Sequence, residues 1–325
     1  CPTAYEDGIW ILNDEDVEIG EDMNKVIGND DSIVEFEITN NRPDCYSLLG
    51  LARETAAAFN VPMHHHEPVV KGGAEGNLGE LLDVDVQADD LCPRYTARMV
   101  RNVKIAPSPK WMRQRLRSAG IRPINNIVDI TNYVMVEYGQ PMHAFDYRYV
   151  KGGKIVVRRA GEDKTLTTLD GKEHDLSVED LLITDSPDGK RGSRILGIAG
   201  VMGGLYGEVT ADTKNILLEA AHFDSVSIAR SARRHKIPSE ASRRFERGVD
   251  TQLQPAAAQM AAELLTKFGN GEPSGHPTDV NTTMYRRPIP FKATEVARVA
   301  GLDVDVNRIS DILTDVGCRV AGGGN

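Results

Sequence analysis

One carboxylate in this sequence stands in surroundings that would remove it from water. Glu219 lies in the run ILLEAAHF, so a strand or helix that is otherwise apolar carries a single acidic group toward the interior. A buried carboxylate is costly unless it is paired, protonated or met by a donor from a ligand. An ion pair with an arginine is the simpler interpretation, and a ligand-binding group is the alternative.

A second concentration of polar chemistry lies in the stretch from Gly120 to Asp146, GIRPINNIVDITNYVMVEYGQPMHAFD. Arg122, Thr131 and His143 stand there among apolar residues, so they must meet water in a cleft or satisfy one another. Either arrangement predicts a polar concavity. For His143, the residues alone favour a tethered core histidine over a site residue.

The segment GIAGVMGG, residues 197–204, has four glycines in eight positions. It lacks the GK[ST] of a P-loop and the GxGxxG register of dinucleotide-binding folds, so a tight turn between packed backbones is favoured over a nucleotide site. A third interpretation remains open. Ala199 and Gly200 are small enough to let a ligand lie against exposed backbone N–H groups.

The segment from Arg230 to Arg247 is basic in an otherwise acidic chain, with seven Arg or Lys and two Glu. It could bind phosphates, or it could form solvated helix faces on which Glu240 and Glu246 absorb part of the charge. The sequence leaves these two interpretations equal. The adjacent histidines 64–66 lack the spacing of metal ligands and indicate a linker.

The elements that position these residues follow from pattern. A helix is predicted over 109–119, stopped at Gly120, and a second over 126–137 with apolar residues at spacings of three and four. Gly139, Gln140 and Pro141 should end that helix and place His143 on an extended segment. Short strands are predicted from Gly153 onward, with a tight hairpin at residues 170–171, and helices after Glu219.

The flanking regions are predicted in less detail. Residues 33–38 alternate as in a strand with one wet face, and Ser47 should cap a helix over 48–59. Residues 82–86 and 95–103 are further strand candidates. Linkers are predicted at 69–79 and 272–283 from their Gly and Pro content.

Composition bounds the class of protein. The chain has 325 residues and a net charge of −10, which indicates more than one domain and argues against a general nucleic-acid coat protein. Its four cysteines form no CxxC pair, so reduced thiols in a cytosolic protein are expected. No apolar run approaches a membrane span. The start at Cys1 and the end in GGGN lead us to expect a piece of a longer protein.

Six strings, in order, make the chain resemble the β subunit of bacterial phenylalanyl-tRNA synthetase. They span nearly the whole chain: NNRPDCYSLLGLARETA, RPINNIVDITNYVMVEYGQPMHAFD, TLDG, GIAGVMGG, LLEAAHFD and SRRFERGVD. The resemblance implies an α+β, multi-domain fold with a mixed-sheet editing domain. It implies residues 1–30 as the tail of a tRNA-binding domain, 31–80 as a strand, helix and linker, 81–271 as the editing domain with a β-rich insertion at about 152–207, and 284–325 as the start of a winged-helix-like domain.

The resemblance also implies a function, the hydrolysis of tyrosine wrongly esterified to phenylalanine tRNA. By motif, His143, Thr131 and Arg122 correspond to catalytic positions, and Glu219, Ala199 and Gly200 to positions that hold the tyrosyl group. No metal or other cofactor is expected in this part, whereas the whole enzyme would use ATP and magnesium. The implied partners are phenylalanine tRNA and the α subunit of a cytoplasmic heterotetramer, with no membrane. A non-catalytic scaffold or tRNA-docking role is the alternative, and an ATP-binding enzyme using GIAGVMGG is a second rival.

Overall fold

The computed structural model describes residues 17–70, 82–283 and 288–322. Within these ranges the chain is α+β, with two five-stranded sheets, a separate two-stranded hairpin and surrounding helices, so the predicted fold class is confirmed. Most of the predicted glycine-rich linker at 69–79 lies outside the described residues. Cys1 lies outside them as well. No helix among the described residues is long and apolar enough to cross a membrane.

The central sheet is antiparallel. It has the order β11-β2-β10-β3, and β12 also pairs with β2. Its strands are β2 (Arg94–Arg101), β3 (Met142–Asp146), β10 (Ile216–His222), β11 (Glu272–Pro273) and β12 (Thr278–Asn281). Residues 272–283 are therefore no free linker, and that prediction is wrong. Asp279 on β12 accepts hydrogen bonds from the Arg94 guanidinium and the Thr96 hydroxyl, a contact across nearly 200 residues that Gly and Pro content could not reveal.

One face of the central sheet is covered by helices α3 (Lys110–Ser118), α4 (Asn126–Tyr138) and α7 (Gln254–Phe268). Apolar side chains of α4 join those of the sheet in one buried core, whose members include Ile127, Ile130, Val134, Val100, Ile216 and Leu218. The Asn125 side chain accepts from the backbone N–H groups of the first turn of α4, and Gly139, at φ 76°, ends the helix. The predicted helices here are confirmed.

The other face is covered by a second sheet of order β1-β4-β7-β8-β9, in which only β1 and β4 are parallel. Its strands are β1 (Asp83–Val86), β4 (Lys154–Arg159), β7 (Leu181–Asp185), β8 (Arg194–Ile198) and β9 (Met202–Gly203). The hairpin of β5 (Thr165–Thr167) and β6 (Glu173–Asp175) turns at Gly171, as predicted. Strand residues of both sheets form the second buried core, including Tyr95, Phe145, Leu217, Val157, Ile183 and Ile198.

Helices α5 (Ser225–His235) and α6 (Glu240–Arg247) follow β10 and close one end of this core. The buried carboxylate of Asp180, just before β7, accepts hydrogen bonds from the side chains of Ser231, Arg234 and His235. Because those donors all lie on α5, the contact ties this helix to the second sheet. Burial raises the pKa of Asp180, but hydrogen bonds from Ser231, the Ser177 backbone N–H and His235 outweigh it and hold that pKa below its usual range.

The remaining described elements flank this body. They are α1 (Met23–Ile27), α2 (Leu48–Phe59), α8 (Thr294–Ala300) and α9 (Val306–Asp315), with 3-10 turns at Pro43–Cys45, Tyr147–Tyr149 and Lys151–Gly153. The Ser47 hydroxyl accepts from the Gly50 N–H and caps α2 as predicted. The structure assigns no strand to residues 33–38, against the prediction, because this segment pairs with no strand among the described residues and leaves Ile33 and Val34 each 70% exposed.

Candidate functional site

The register of the central sheet brings the two candidate site groups together. Glu219 of β10 is paired directly with His143 of β3 in the antiparallel ladder. Side chains of opposite residues on neighbouring strands lie on the same face, with Cβ atoms about 4.5–5.5 Å apart. The carboxylate and the imidazole therefore face the second sheet together, at the boundary between the two sheets.

Both side chains line a cavity of about 120 Å³. Its walls also include Ala199 and Gly200 from the glycine-rich turn, Phe145 from β3 and Phe245 from α6. An apolar cavity of roughly 150 Å³ accepts a benzene molecule, so this one has the size class of a single aromatic ring. Four of the six predicted site residues thus share one cavity: His143, Ala199, Gly200 and Glu219.

Glu219 is held by a tyrosine. The buried Tyr95 hydroxyl donates to Oε2 of Glu219 at 2.6 Å, and Oε1 has no hydrogen-bond donor among the residues that the structure describes. Burial raises the pKa of Glu219 to about 7, and the hydrogen bond from Tyr95 opposes that rise. Burial and the nearby Glu219 raise the pKa of Tyr95 in turn, so the phenol stays protonated and remains the donor. The expected pairing with an arginine is therefore wrong.

Tyr95 is the residue that sequence reasoning missed. It lies on a predicted strand, but nothing in that strand indicates a partner 124 residues away. The pairing register places Tyr95 opposite Ala221, two positions from Glu219 and on the same face of the sheet. Strand alternation could have put Tyr95 on a buried face, whereas its contact with Glu219 depends on the register of two distant strands.

His143 contributes a neutral imidazole. Burial lowers its pKa to about 4, so the ring is uncharged at neutral pH. The ring packs edge-on against Phe145 with centroids 4.4 Å apart. The ring also lies close to Gly203, where an added Cβ would stand 2.9 Å from His143 Cε1. Because glycine has no Cβ, Gly203 leaves enough space for the His143 imidazole to lie in the cavity wall.

The glycine-rich segment contains the end of β8, the turn at residues 199–201 and β9. Gly200 has φ 65°, and a Cβ there would stand 3.0 Å from side-chain atoms of Ile228, Phe223 and Phe245. The turn therefore packs closely against its neighbours, and its small residues Ala199 and Gly200 also form part of the cavity wall. A strand, β9, follows it, so the helix N-terminus that a dinucleotide cradle needs is missing at this point. This disfavours the nucleotide-site rival.

The remaining two predicted site residues lie elsewhere. Arg122 is exposed in the connection between α3 and α4. Thr131 is buried on α4, on the opposite face of the central sheet, and its hydroxyl donates to the Val128 carbonyl at 2.8 Å. Neither is among the residues that line the cavity. In the described part of the chain, no group of three or more His, Cys, Asp or Glu is arranged to hold a metal ion.

The sequence is similar to a known domain family and to known proteins. The model of the B3/4 domain family matches residues 91–270, which contain the central sheet strands β2, β3 and β10 and the whole cavity. The phenylalanine–tRNA ligase beta subunit of Bifidobacterium longum is 62% identical over 319 residues, covering 94% of this chain and 37% of that protein. The corresponding subunit of Moorella thermoacetica is 44% identical, covering 95% of this chain and 38% of that protein.

A solved N-terminal fragment of the phenylalanyl-tRNA synthetase beta subunit of Pyrococcus horikoshii is 14% identical, covers 85% of this chain and 74% of that chain, and has a TM-score of 0.39. The chain spans somewhat more than a third of the length of the curated relatives named above. The matched model covers more than half of the chain, and both curated relatives align over nearly all of it. The chain therefore belongs to the B3/4 domain family, as part of the beta-subunit family of phenylalanine–tRNA ligases.

Proposed function

We propose that the cavity between the two sheets removes tyrosine from phenylalanine tRNA by hydrolysing the ester that joins them. The observation that carries this proposal is the buried Glu219 carboxylate, which has one oxygen held by Tyr95 and the other without a donor from the described protein. A phenol entering the cavity would supply the missing donor. A phenylalanine ring would leave the carboxylate unpaired.

Physical limits on selectivity explain why such a cavity is needed. An apolar pocket built for phenylalanine rejects a ring with one added hydroxyl only by about 10², whereas a site that hydrogen-bonds the hydroxyl rejects the analogue without it by about 10⁴ to 10⁵. Glu219 would supply that hydrogen bond, and a carboxylate bonded by a neutral donor is a strong acceptor. Ala199 and Gly200 would leave room for the ring.

The hydrolysis itself places modest demands on the protein. An aminoacyl ester is already activated, so orienting a water molecule contributes much of the required rate. His143 is neutral at physiological pH because burial lowers its pKa, so its unprotonated ring nitrogen can orient that water or accept its proton. We place orientation first, with the terminal ribose hydroxyl of the tRNA as a helper. Arg122 would act near the ribose only if the bound RNA end extends beyond the cavity. Thr131, buried on the other face of the central sheet, would in addition have to become accessible.

The decisive experiment compares deacylation of tyrosyl-tRNA and phenylalanyl-tRNA by the wild-type chain and by Glu219→Ala. We expect the wild type to hydrolyse the tyrosyl ester preferentially, and the variant to lose this preference by more than it loses hydrolysis. Equal loss of rate on both esters, with the preference retained, would contradict the role of Glu219. A wild-type chain that hydrolyses neither ester, in isolation or in the full enzyme, would favour the scaffold alternative.

The proposal extends to the assembly in which the relatives occur. Their name, phenylalanine–tRNA ligase beta subunit, supports an α subunit as partner and phenylalanine tRNA as substrate. In that assembly ATP and magnesium would serve aminoacylation at a site outside this chain, in the cytoplasm. We assign the proposed hydrolytic cavity to the described residues and assign none of them to aminoacylation.

A further inference from the structure

A basic surface lies on the exposed side of α5, close to the end of the helix. We define it by Arg230, Arg233 and Lys236, which are all exposed. None of the three side chains has an ion pair or a hydrogen bond with any other residue of the described ranges. Helix α5 itself, SVSIARSARRH, contains no Asp or Glu.

The other cations of the same segment are already engaged. Arg234 donates to the buried Asp180, and Glu240 accepts from both Arg243 and Arg244. The guanidinium of Arg247 lies over the Tyr46 ring, 4.7 Å from its centroid. The basic residues of this segment therefore fall into two groups. One group contacts acidic or aromatic side chains, and the other, the basic surface, has no counter-ion among the described residues.

Two features of the basic surface disfavour a purely structural role. Arg230 and Arg233 are one turn apart on one helix, a like-charge spacing that destabilises the helix. Lys236 ends α5 at φ 56° and ψ 38°, a left-handed conformation that favours glycine. The helix dipole accounts for a cation in the last turn, such as Arg233, but it acts weakly on Arg230 in the middle of the helix.

The basic surface is connected to the cavity by a short segment. Lys236 precedes Ser239 by three residues, and the Ser239 hydroxyl donates to the carbonyl of Val201 at 3.0 Å. Val201 lines the cavity, as does Ala241 at the start of α6. Three extended residues span at most about 11 Å, so the backbone of Lys236 lies within roughly that distance of Ser239.

We propose that the basic surface binds the phosphate backbone of the RNA whose esterified end enters the cavity. This inference rests on the proposed function, which requires a polyanion to approach the cavity. Charge complementarity selects the partner, because three uncompensated cations persist on a chain whose net charge is −10. Each phosphate contact releases condensed counterions, so binding should weaken steeply as salt increases.

The test replaces the three cations by acids in the intact protein, as Arg230→Glu, Arg233→Glu and Lys236→Glu together. The matched control carries Lys164→Glu, Lys292→Glu and Arg308→Glu, which change three other exposed cations and the net charge by the same amount. We expect the first variant to raise KM for tyrosyl-tRNA by about 10- to 100-fold at 0.1 M salt, with kcat within about twofold of wild type. The slope of log affinity against log salt should become shallower by about two to three.

A single substitution separates RNA binding from folding. Lys236→Gly removes one cation and relieves the left-handed strain, so we expect a higher melting temperature together with a KM several-fold higher. A destabilised fold cannot explain weaker binding in a variant that melts later. A melting temperature that rises while KM stays at the wild-type value would count against the proposal.

The outcomes distinguish this inference from the proposed function. If wild type hydrolyses tyrosyl-tRNA and the triple variant matches its control in KM and salt slope, the basic surface does not bind RNA. If wild type fails to hydrolyse tyrosyl-tRNA but binds tRNA with a salt slope that only the triple variant reduces, the proposed function fails and the inference stands. Equal binding of tRNA and of anionic lipid vesicles through these cations would overturn the assignment to RNA.

Discussion

At the scale of single residues, the proposed selectivity depends on one hydrogen bond inside the protein, between Tyr95 and Glu219. The Tyr95 hydroxyl donates to Oε2 of Glu219 at 2.6 Å, and Glu219 is among the residues that line the cavity. The internal phenol thus fixes the carboxylate in the orientation that a guest phenol would use. It also favours the ionised form of Glu219, which is the better acceptor.

The Tyr95→Phe variant tests this positioning role. Removing the donated hydrogen bond raises the pKa of Glu219 further, so we expect the pH midpoint of tyrosine discrimination to move up by about one to two units. The matched control is Tyr138→Phe, since the Tyr138 hydroxyl is buried without a hydrogen-bond partner among the described residues and the residue belongs to the other core. A midpoint that stays where it is in the wild type would show that Tyr95 has no influence on the carboxylate.

His143 is expected to act on rate instead of selectivity. In His143→Ala we expect deacylation of tyrosyl-tRNA to slow by about 10²- to 10⁴-fold, the range for a lost acid–base group, while the preference for tyrosine persists. The control is His276→Ala, which changes an exposed histidine outside the cavity. Single-turnover deacylation measures the effect, and clearance at the wild-type rate would leave His143 without a chemical role.

At the scale of elements, the two strands that carry His143 and Glu219 are positioned by their connections. The Gln140 side-chain amide donates to the Ala221 carbonyl on β10 at 3.0 Å, immediately before β3 begins. Gln254 of α7 in turn donates to Gln140 Oε1 at 2.9 Å. The segment that ends α4 is thereby fixed against the neighbouring strand, and His143 enters the sheet opposite Glu219.

The close approach of Gly203, in β9, to the His143 ring gives a prediction about the position of that ring. In Gly203→Ala the new Cβ would clash with the His143 ring, so the imidazole must move and we expect deacylation to slow by about tenfold or more, because misplacement by about 1 Å is costly in catalysis. Gly275→Ala is the control, since a Cβ there meets nothing within 4 Å. Equal rates in the two variants would mean that the ring position does not matter.

The local sequence pattern was enough to predict most helices and strands, but not which strands pair with one another. The helix over 126–138 was predictable because its apolar spacing and its ends at Asn125 and Gly139 are all local signals. The pairing of Glu219 with His143 joins residues 76 positions apart, and the pairing of β12 with β2 joins residues still farther apart. Such registers depend on tertiary packing. Motif resemblance supplied four residues of the cavity, together with Arg122 and Thr131, which the fold does not place there.

At the scale of the whole molecule, burying Glu219 should make stability depend on pH. Its pKa in the folded protein is about 7, against 4.5 for an unperturbed glutamate, so the folded state binds more protons than the unfolded state between these values. The stabilisation from protonation is complete below about pH 4.5 and is lost as pH rises through 7. The full change amounts to about 3 kcal/mol.

The measurement is chemical unfolding at pH 5 and pH 8 for the wild type and for Glu219→Gln. We expect the free energy of unfolding of the wild type, relative to the variant, to be lower at pH 8 than at pH 5. Comparison with the variant is needed because His143, whose pKa is lowered, acts with the opposite sign below about pH 6.5. A difference between the two proteins that does not change with pH would place Glu219 in contact with solvent.

The two short strands after α7 matter when the domain is produced as a separate polypeptide. β11 and β12 lie along the outer edge of β2, and the family match ends at residue 270, before either strand. An uncovered strand edge is a template for pairing with another copy, which leads to aggregation. A polypeptide cut at that boundary would expose the backbone of residues 94–101, and it would tend to self-associate even with every cavity residue intact.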